Sequence, residues 1–119
     1  MISKKIDELE SFLGDEGTEI RQIFHPHNTL NGIRYSIAHS KIPPKKNSNP
    51  HKLKSGETYF VLNGEGLIHV DEEVEKIQKN QSVFIPAFSM QYIENTGEDD
   101  LEVLCIVDPA WKKDDEISV

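Results

Sequence analysis

The amino-acid sequence predicts an all-β protein, built as an antiparallel sandwich or barrel. After Gly17 the chain consists of short runs rich in β-branched and aromatic residues, separated by turn residues. No segment between these runs is long enough to supply the crossover helix that parallel strands need. A chain of 119 residues with 36% hydrophobic residues has the length of one domain with one core.

Eight runs carry the strand pattern. In chain order they are TEIRQIF (18–24), IRYSIAHSKI (33–42), TYFVL (58–62), GLIHV (66–70), VEKI (74–77), SVFI (82–85), QYIEN (91–95) and LEVLCIVD (101–108). The pairs Asn31-Gly32, Asn63-Gly64 and Thr96-Gly97 supply turn residues that tolerate positive φ. Eight short strands with such turns suggest an antiparallel sandwich or barrel.

The first 16 residues are predicted to form a short helix that packs on the barrel, and the barrel itself spans residues 17–119. Apolar residues recur there at helical spacing with charged residues between them; they are Ile2, Ile6, Leu9 and Leu13. Gly14 is placed to end the helix. Such an apolar stripe usually docks on the main body of a domain.

Composition restricts the classes of partner. A net charge of −8 repels phosphate backbones and acidic membrane surfaces, so we expect neither nucleic acid nor membrane binding. Cys105 is the only cysteine, which excludes an intrachain disulfide and fits a reducing compartment, and a packed thiol is expected there. The N-terminus lacks the continuous apolar core of a signal peptide. We therefore expect a cytoplasmic protein.

Strand alternation around Glu57 predicts which side chains meet. If Glu57 points into the barrel, Tyr59 and Val61 share its face, and the residues between them face outward. Both faces of this strand are largely apolar, so a second sheet or a partner subunit should cover the outer one. On this ground we expect a homodimer.

Two motifs with fixed spacing surround this strand. The first, G-x5-H-x-H-x3-E-x6-G, aligns with Lys45, His51, Leu53, Glu57 and Gly64. The second, G-x5-P-x-G-x2-H-x3-N, aligns with Asn80, Pro86, Phe88, Gln91 and Asn95. With these motifs and eight strands, the chain resembles the cupin family from about residue 35 to residue 111. It is similar to a subgroup of small single-domain cupins with a degenerate His/Leu/Glu/Gln motif.

The resemblance implies a double-stranded β-helix, a jelly-roll-like antiparallel barrel, with a cavity that binds a small polar molecule. It also implies a divalent metal ion with His51, Glu57 and Gln91 as ligands, since Leu53 takes the place of a histidine. Mixed nitrogen and oxygen ligands suit Zn, Fe, Mn, Ni or Cu without choosing among them. The residues expected to contact the substrate in the cavity are Tyr59, Phe88 and His39.

Other interpretations stay open at this point. Without a metal, the same residues would form a polar cluster in a metal-free binding or sensing barrel. The resemblance also implies sugar isomerases and epimerases, and a vestigial cavity would indicate an interaction protein. His25 and His27 are expected in a surface loop, and the acidic run at 114–116 is interpreted as a solvated tail.

Overall fold

Two antiparallel sheets enclose the core of the chain, in a computed structural model that describes residues 1–14, 18–28 and 32–119. The predicted boundary between residues 16 and 17 lies outside the described residues, as does Asn31 of the first predicted turn. The strands are β1 (Phe12–Leu13), β2 (Glu19–Phe24), β3 (Ser36–Ile42), β4 (His51–Leu53), β5 (Gly56–Asn63), β6 (Glu65–Val70), β7 (Glu73–Gln78), β8 (Ser82–Ile85), β9 (Gln91–Asn95), β10 (Leu101–Asp108) and β11 (Glu116–Ser118).

One sheet has six strands in the order β1-β2-β3-β10-β5-β8, and the other has five in the order β11-β4-β9-β6-β7. Every strand pair is antiparallel, and many neighbours are distant in sequence, as in a jelly roll. Within the described part of the chain, no helix has the length and apolar character needed to cross a membrane. The predicted all-β class and the eight predicted strands are confirmed.

The N-terminal segment differs from the predicted helix. It contains one short 3-10 turn at Ile6–Glu8, and Phe12–Leu13 then adds strand β1 to the edge of β2. An isolated helix of about a dozen residues is marginal unless packing stabilises it. Here the sheet edge offers backbone partners instead, and the Arg21 Nε–H donates to the carbonyl oxygen of Leu9 at 3.2 Å. Pairing with the sheet therefore replaces helical hydrogen bonds.

Three short strands were missed by sequence analysis, namely β1, β4 and β11. Strand β4 follows Pro50 and contains only three residues, and β11 lies in the run that was interpreted as a solvated tail. Strands β4 and β11 pair with each other, and His51 at the start of β4 also pairs with Gln91 of β9. Strands this short carry too few alternating residues for a pattern to emerge, so they form only because neighbouring strands are present.

The core lies between the sheets and is built from their inward side chains. Its buried members are Ile42, Tyr59, Val61, Ile68, Ile77, Ile85, Ile93, Leu101 and Val103. Along β5 the alternation is regular: Glu57, Tyr59 and Val61 are buried, whereas the residues between them are half-buried on the outer face. Tyr59 and Glu57 therefore share one side of one strand, directed between the sheets.

The turn between β5 and β6 gives a test of the fold. Gly64 has φ +88°, and a Cβ atom there would lie 2.7 Å from the backbone oxygen of Asp100. We expect Gly64→Ala to lower the free energy of unfolding by roughly 2–3 kcal/mol, because backbone strain adds to a clash with backbone. Urea unfolding followed by circular dichroism measures the change.

Gly32→Ala is the matched control for this substitution. Gly32 also has a positive φ, of +109°, but a Cβ atom there would meet nothing within 4 Å. This variant carries backbone strain alone, so its cost should be about 1 kcal/mol. Equal costs for the two variants would contradict the close approach at Gly64.

Candidate functional site

A cavity of about 360 Å³ lies between the two sheets. This volume is at the lower end of the range of roughly 300–1,000 Å³ that small-molecule sites occupy. Inward side chains of β2, β3, β5 and β10 form one wall, and β4 and β9 form the other. The chain termini complete the lining, through residues 12–14 at one end and Trp111, Lys113 and Glu116 at the other. The size and the mixed lining suit a small organic molecule.

Glu57 is the buried acidic group of this cavity. Its side chain is on β5, the residue is only 5% exposed, and its Oε1 atom has no hydrogen-bond partner among the described residues. Burial raises the pKa of Glu57 from 4.5 to about 7, against hydrogen bonds from Gln91 and Tyr59 that lower it. The nearby carboxylate of Glu116 raises this pKa further. A carboxyl group with both forms accessible near neutral pH therefore lines the cavity.

Gln91 and Tyr59 hold the Glu57 carboxyl group from one side. The Tyr59 hydroxyl donates to Oε1 of Gln91 at 2.9 Å. Burial has the larger effect on the pKa of Glu57, but Gln91 and Tyr59 both lower it, so the three side chains lie close together. Burial, followed by the charge of Glu57, raises the pKa of Tyr59 well above its usual value. The three residues form one hydrogen-bonded network across the two sheets.

His51 lies next to this network on β4, in register with Gln91 of β9. Its Nδ1 atom is 2.9 Å from the backbone oxygen of Asn49. Since a carbonyl oxygen only accepts, Nδ1 carries the hydrogen, and the Nε2 lone pair stays available. His51 thus adds an acceptor or a metal-binding nitrogen to the cavity wall.

The predicted metal ligands are brought together, but they do not form a complete ligand set for a resident metal ion. His51 and Glu57 each offer a donor atom, whereas the oxygen of Gln91 is used by the hydroxyl of Tyr59. Leu53 offers no donor. Within the described residues, no group of three His, Cys, Asp or Glu side chains is placed to hold a metal ion. The metal site therefore stays a prediction.

Of the three predicted cavity contacts, only Tyr59 lines the cavity. His39 faces the opposite side of β3, because Ser36, Ala38 and Ser40 point inward on that strand. Its Nε2 atom is 2.9 Å from Glu102 Oε1 on the outer face. The predicted contact of Phe88 with the cavity is also wrong, because Phe88 does not belong to the cavity lining.

Phe88 is 59% exposed in the connection between β8 and β9, outside the cavity lining. Its backbone has φ +67°, and its N–H donates to the backbone oxygen of Leu53 at 2.7 Å. This bond fixes the loop against β4 while the ring points to solvent. The motif alignment set the position of the backbone correctly, but the direction of the side chain depends on the local turn.

Sequence analysis missed two charged residues of the cavity, Lys113 and Glu116. They belong to the segment interpreted as a solvated tail, which instead closes one end of the cavity through the pairing of β11 with β4. The Trp111 indole N–H donates to Glu116 Oε2 at 3.1 Å and holds this carboxylate in place. These two residues reach the cavity because β11 pairs with β4, and no local sequence pattern predicts that pairing.

Cys105 also lines the cavity, on strand β10 beside Tyr59. Burial, and then the charge of Glu57, raises the pKa of its thiol well above the usual value. The group is therefore a neutral thiol and a poor nucleophile at neutral pH. Because it is the only cysteine of the chain, it reports on this cavity alone.

The remaining histidines have structural partners outside the cavity. The His25 Nε2–H donates to the backbone oxygen of Trp111 at 2.7 Å, and Nδ1 accepts from the N–H of His27 at 3.1 Å. His69 Nε2 is 3.0 Å from Glu94 Oε1 on β9. Neither His25 nor His69 lines the cavity. His25 is buried rather than lying in a surface loop as expected.

The raised pKa of Glu57 predicts a specific pH dependence of stability. Between its ordinary value of 4.5 and about 7 the folded state binds more protons than the unfolded state, so the free energy of unfolding falls as pH rises. The decrease in the free energy of unfolding is complete above the pKa of Glu57 in the folded state, and it amounts to roughly 3 kcal/mol. The polar groups that face Glu57 are His51, Tyr59, Gln91, Cys105 and Glu116.

Glu57→Gln supplies the comparison, because a neutral amide of the same shape does not titrate. Urea unfolding of both proteins at several pH values between 4.5 and 8 should show the wild type losing stability relative to the variant. If the free energies of unfolding of the two proteins changed in parallel with pH, the pKa of Glu57 would not be raised. Glu73→Gln, at an exposed position of β7, controls for the removal of one carboxylate.

Comparisons with known proteins agree with this architecture. An uncharacterised protein of Methanocaldococcus jannaschii is 30% identical over 116 residues, which cover 97% of this chain and 92% of that protein. An oxalate-binding protein of Thermotoga maritima is 34% identical over 72 residues, or 60% of each chain.

A solved structure and a family model extend the comparison. The crystal structure of a predicted oxalate decarboxylase from Thermotoga maritima superimposes with a TM-score of 0.77 and 25% identity, and the match covers 91% of this chain and 99% of that one. The family model of the cupin domain matches residues 38–107, which include both motifs and the strands that hold Glu57 and Gln91. The chain belongs to the cupin family.

Proposed function

We propose that this cupin is a binding barrel that takes a small polar molecule into its cavity without a resident metal ion, with the carboxyl group of Glu57 as the anchor. One observation carries the proposal: Glu57 Oε1 is buried at the cavity wall and has no partner among the described residues. A buried acceptor without a partner costs roughly 1–3 kcal/mol. A ligand that donates a hydrogen bond to this atom would remove that cost.

The remaining lining supports a ligand with one polar and one apolar side. Ser40 and Gln22 line the cavity from β3 and β2 and add polar side chains to its wall. Ile42, Ile93 and Val103 supply the apolar surface. A few convergent polar groups in a largely apolar pocket are typical of small-molecule sites.

The relative that is named an oxalate-binding protein supports a small molecule as the class of ligand. A carboxyl group with a pKa of about 7 also suits proton transfer, so the same anchor would serve an isomerase-like or epimerase-like reaction. Binding is the simpler function that these groups support. The reaction would require a second proton-transfer group, and His51, which lines the same cavity, could supply it through Nε2.

A metal-dependent site is the second candidate function. The free Nε2 lone pair of His51 and the unpartnered Oε1 of Glu57 favour it, because the bond from Nδ1 to a backbone carbonyl is common in metal-ligating histidines. With two protein donors, any bound ion would depend on water or on the ligand for its other positions. Such an ion would be held weakly.

Elemental analysis together with a binding assay tests the proposed function. We expect protein purified without a histidine tag or chelator to contain far less than one equivalent of metal. In chelator-treated protein, a panel of small polar molecules should include compounds that slow the alkylation of Cys105, as measured by mass spectrometry. The reason is that this thiol lines the cavity.

Glu57→Ala is the matched variant for both measurements. It should weaken the protection of Cys105 by about tenfold or more, because the buried hydrogen bond to the carboxyl group is lost. If the wild type contained nearly one equivalent of metal and the Glu57→Ala variant contained none, the metal-dependent site would be established instead. The metal-dependent site would also be established if the small molecules slowed the alkylation of Cys105 only after metal was added.

The chain is also proposed to form a homodimer through the outer face of its six-stranded sheet. Phe60 and Leu62 of β5 are half-buried on this face, and Phe84 of the edge strand β8 is 66% exposed. Phe84 thus extends the apolar surface formed by Phe60 and Leu62, and an exposed apolar surface of this kind favours contact with a second subunit.

Phe84→Lys should therefore convert the dimer to a monomer, because it places a charge in the apolar contact. Size-exclusion chromatography with light scattering gives the mass. Val74→Lys is the control, since Val74 is 57% exposed on β7 of the other sheet. A wild-type protein of monomer mass, or a variant that stays dimeric, would contradict this interface.

A further inference from the structure

We infer that the ligand of this cavity is a small organic cation, an ammonium or guanidinium group on an apolar body. This inference rests on the proposed function and names the chemical class of its ligand. Three features of the cavity support it: the charges of its lining, the unpartnered oxygen of Glu57 and the aromatic rings of its wall.

The charged groups of the cavity are predominantly acidic. Glu57 is buried on β5, and Glu116 is half-buried on β11. Lys113 is the single Lys or Arg among the described residues that line the cavity, and it is exposed. His51 donates its Nδ1–H to the backbone oxygen of Asn49, so its Nε2 is the ring nitrogen left to contact a ligand. The cavity therefore offers acceptors and negative charge where a ligand must place its polar group.

The two carboxyl groups line one cavity, Glu57 from β5 and Glu116 from β11. A cation between them would interact favourably with both, and one of its N–H groups would satisfy Glu57 Oε1, the buried atom without a partner. This buried, unpartnered oxygen is an observation independent of the acidic charge, and it points to a donor.

Aromatic rings complete a site of this kind. Tyr59, Trp111 and Phe12 line the same cavity, and Trp111 is joined to Glu116 by its indole N–H. Aromatic faces attract organic cations with a free energy of about 0.5–2 kcal/mol. A cation held by carboxylates and aromatic rings could place its apolar body against Ile93 and Val103.

An anionic ligand fits the same surroundings poorly. It would lie beside Glu57 and Glu116 with one exposed lysine to compensate, and its approach would be opposed by a net charge of −8. Placing an anion in a buried site beside a carboxylate is costly because water no longer screens the repulsion. The expected ligand class therefore differs from the oxalate that is named for a relative.

Four compounds test this inference: n-butylammonium, n-butanol, butyrate and oxalate. The first three have four carbon atoms each and differ in their polar group. Trp111 is the only tryptophan and lines the cavity, so its fluorescence reports binding. We expect butylammonium to bind about tenfold or more tightly than butanol, and butyrate and oxalate to bind more weakly still. Slower alkylation of Cys105 gives an independent measurement.

Three variants separate the roles of the charges. Glu57→Gln should weaken butylammonium binding by about tenfold or more, with little effect on butanol. Lys113→Gln should strengthen it roughly threefold, because a like charge is removed; for an anionic ligand the direction would be opposite. Circular dichroism checks that Glu57→Gln is folded, and Glu116→Gln provides a second test with the same expected direction.

The outcomes distinguish this inference from the proposed function. If butyrate, oxalate or butanol binds as tightly as butylammonium, the cation inference is overturned while the binding barrel stands. If none of the four compounds changes the fluorescence of Trp111 or the alkylation of Cys105, both are overturned. Weaker butylammonium binding in Lys113→Gln would also contradict the inference.

Discussion

The burial of one carboxyl group by strand alternation is the constraint on which this site depends. Strand β5 lies between β10 and β8, so its inward residues have no access to bulk solvent except through the cavity. Shifting the strand by one residue would place Glu57 outside and expose Tyr59 and Val61, which the core requires. The apolar residues of β5 thus determine the register that holds its one charged residue inside. Burial in turn raises the pKa of that residue to about 7.

The polar network around Glu57 joins the two sheets. Tyr59 comes from the six-stranded sheet and Gln91 from the five-stranded one, and their hydrogen bond crosses the barrel. Gln91 is almost fully buried, and the Tyr59 hydroxyl donates to its side-chain oxygen. Where the family motif has a histidine, this chain therefore has a buried amide whose oxygen is bonded to the opposite sheet.

The C-terminal segment contributes charged side chains of both signs to the cavity. Strand β11 pairs with β4, where Glu116 lies opposite Leu53, and this brings Glu116 and Lys113 to the cavity lining. The family motifs lie within residues 38–107, outside this segment. Ligand choice in this chain is therefore inferred to depend on residues beyond the family match as well as on the motif positions. Small barrels of one architecture differ in function through such additions around a common cavity.

The sequence by itself determined the all-β class, the eight longer strands and the position of Glu57 beside Tyr59 and Val61, because alternation and turn residues act locally. Only the tertiary structure decided the rest. The N-terminal stripe pairs as a strand because a sheet edge is available, and His39 faces outward because its neighbours on β3 face the cavity. Glu116 reaches the site through a three-residue strand pair with β4. These features depend on contacts between residues far apart in the chain, which no local pattern specifies.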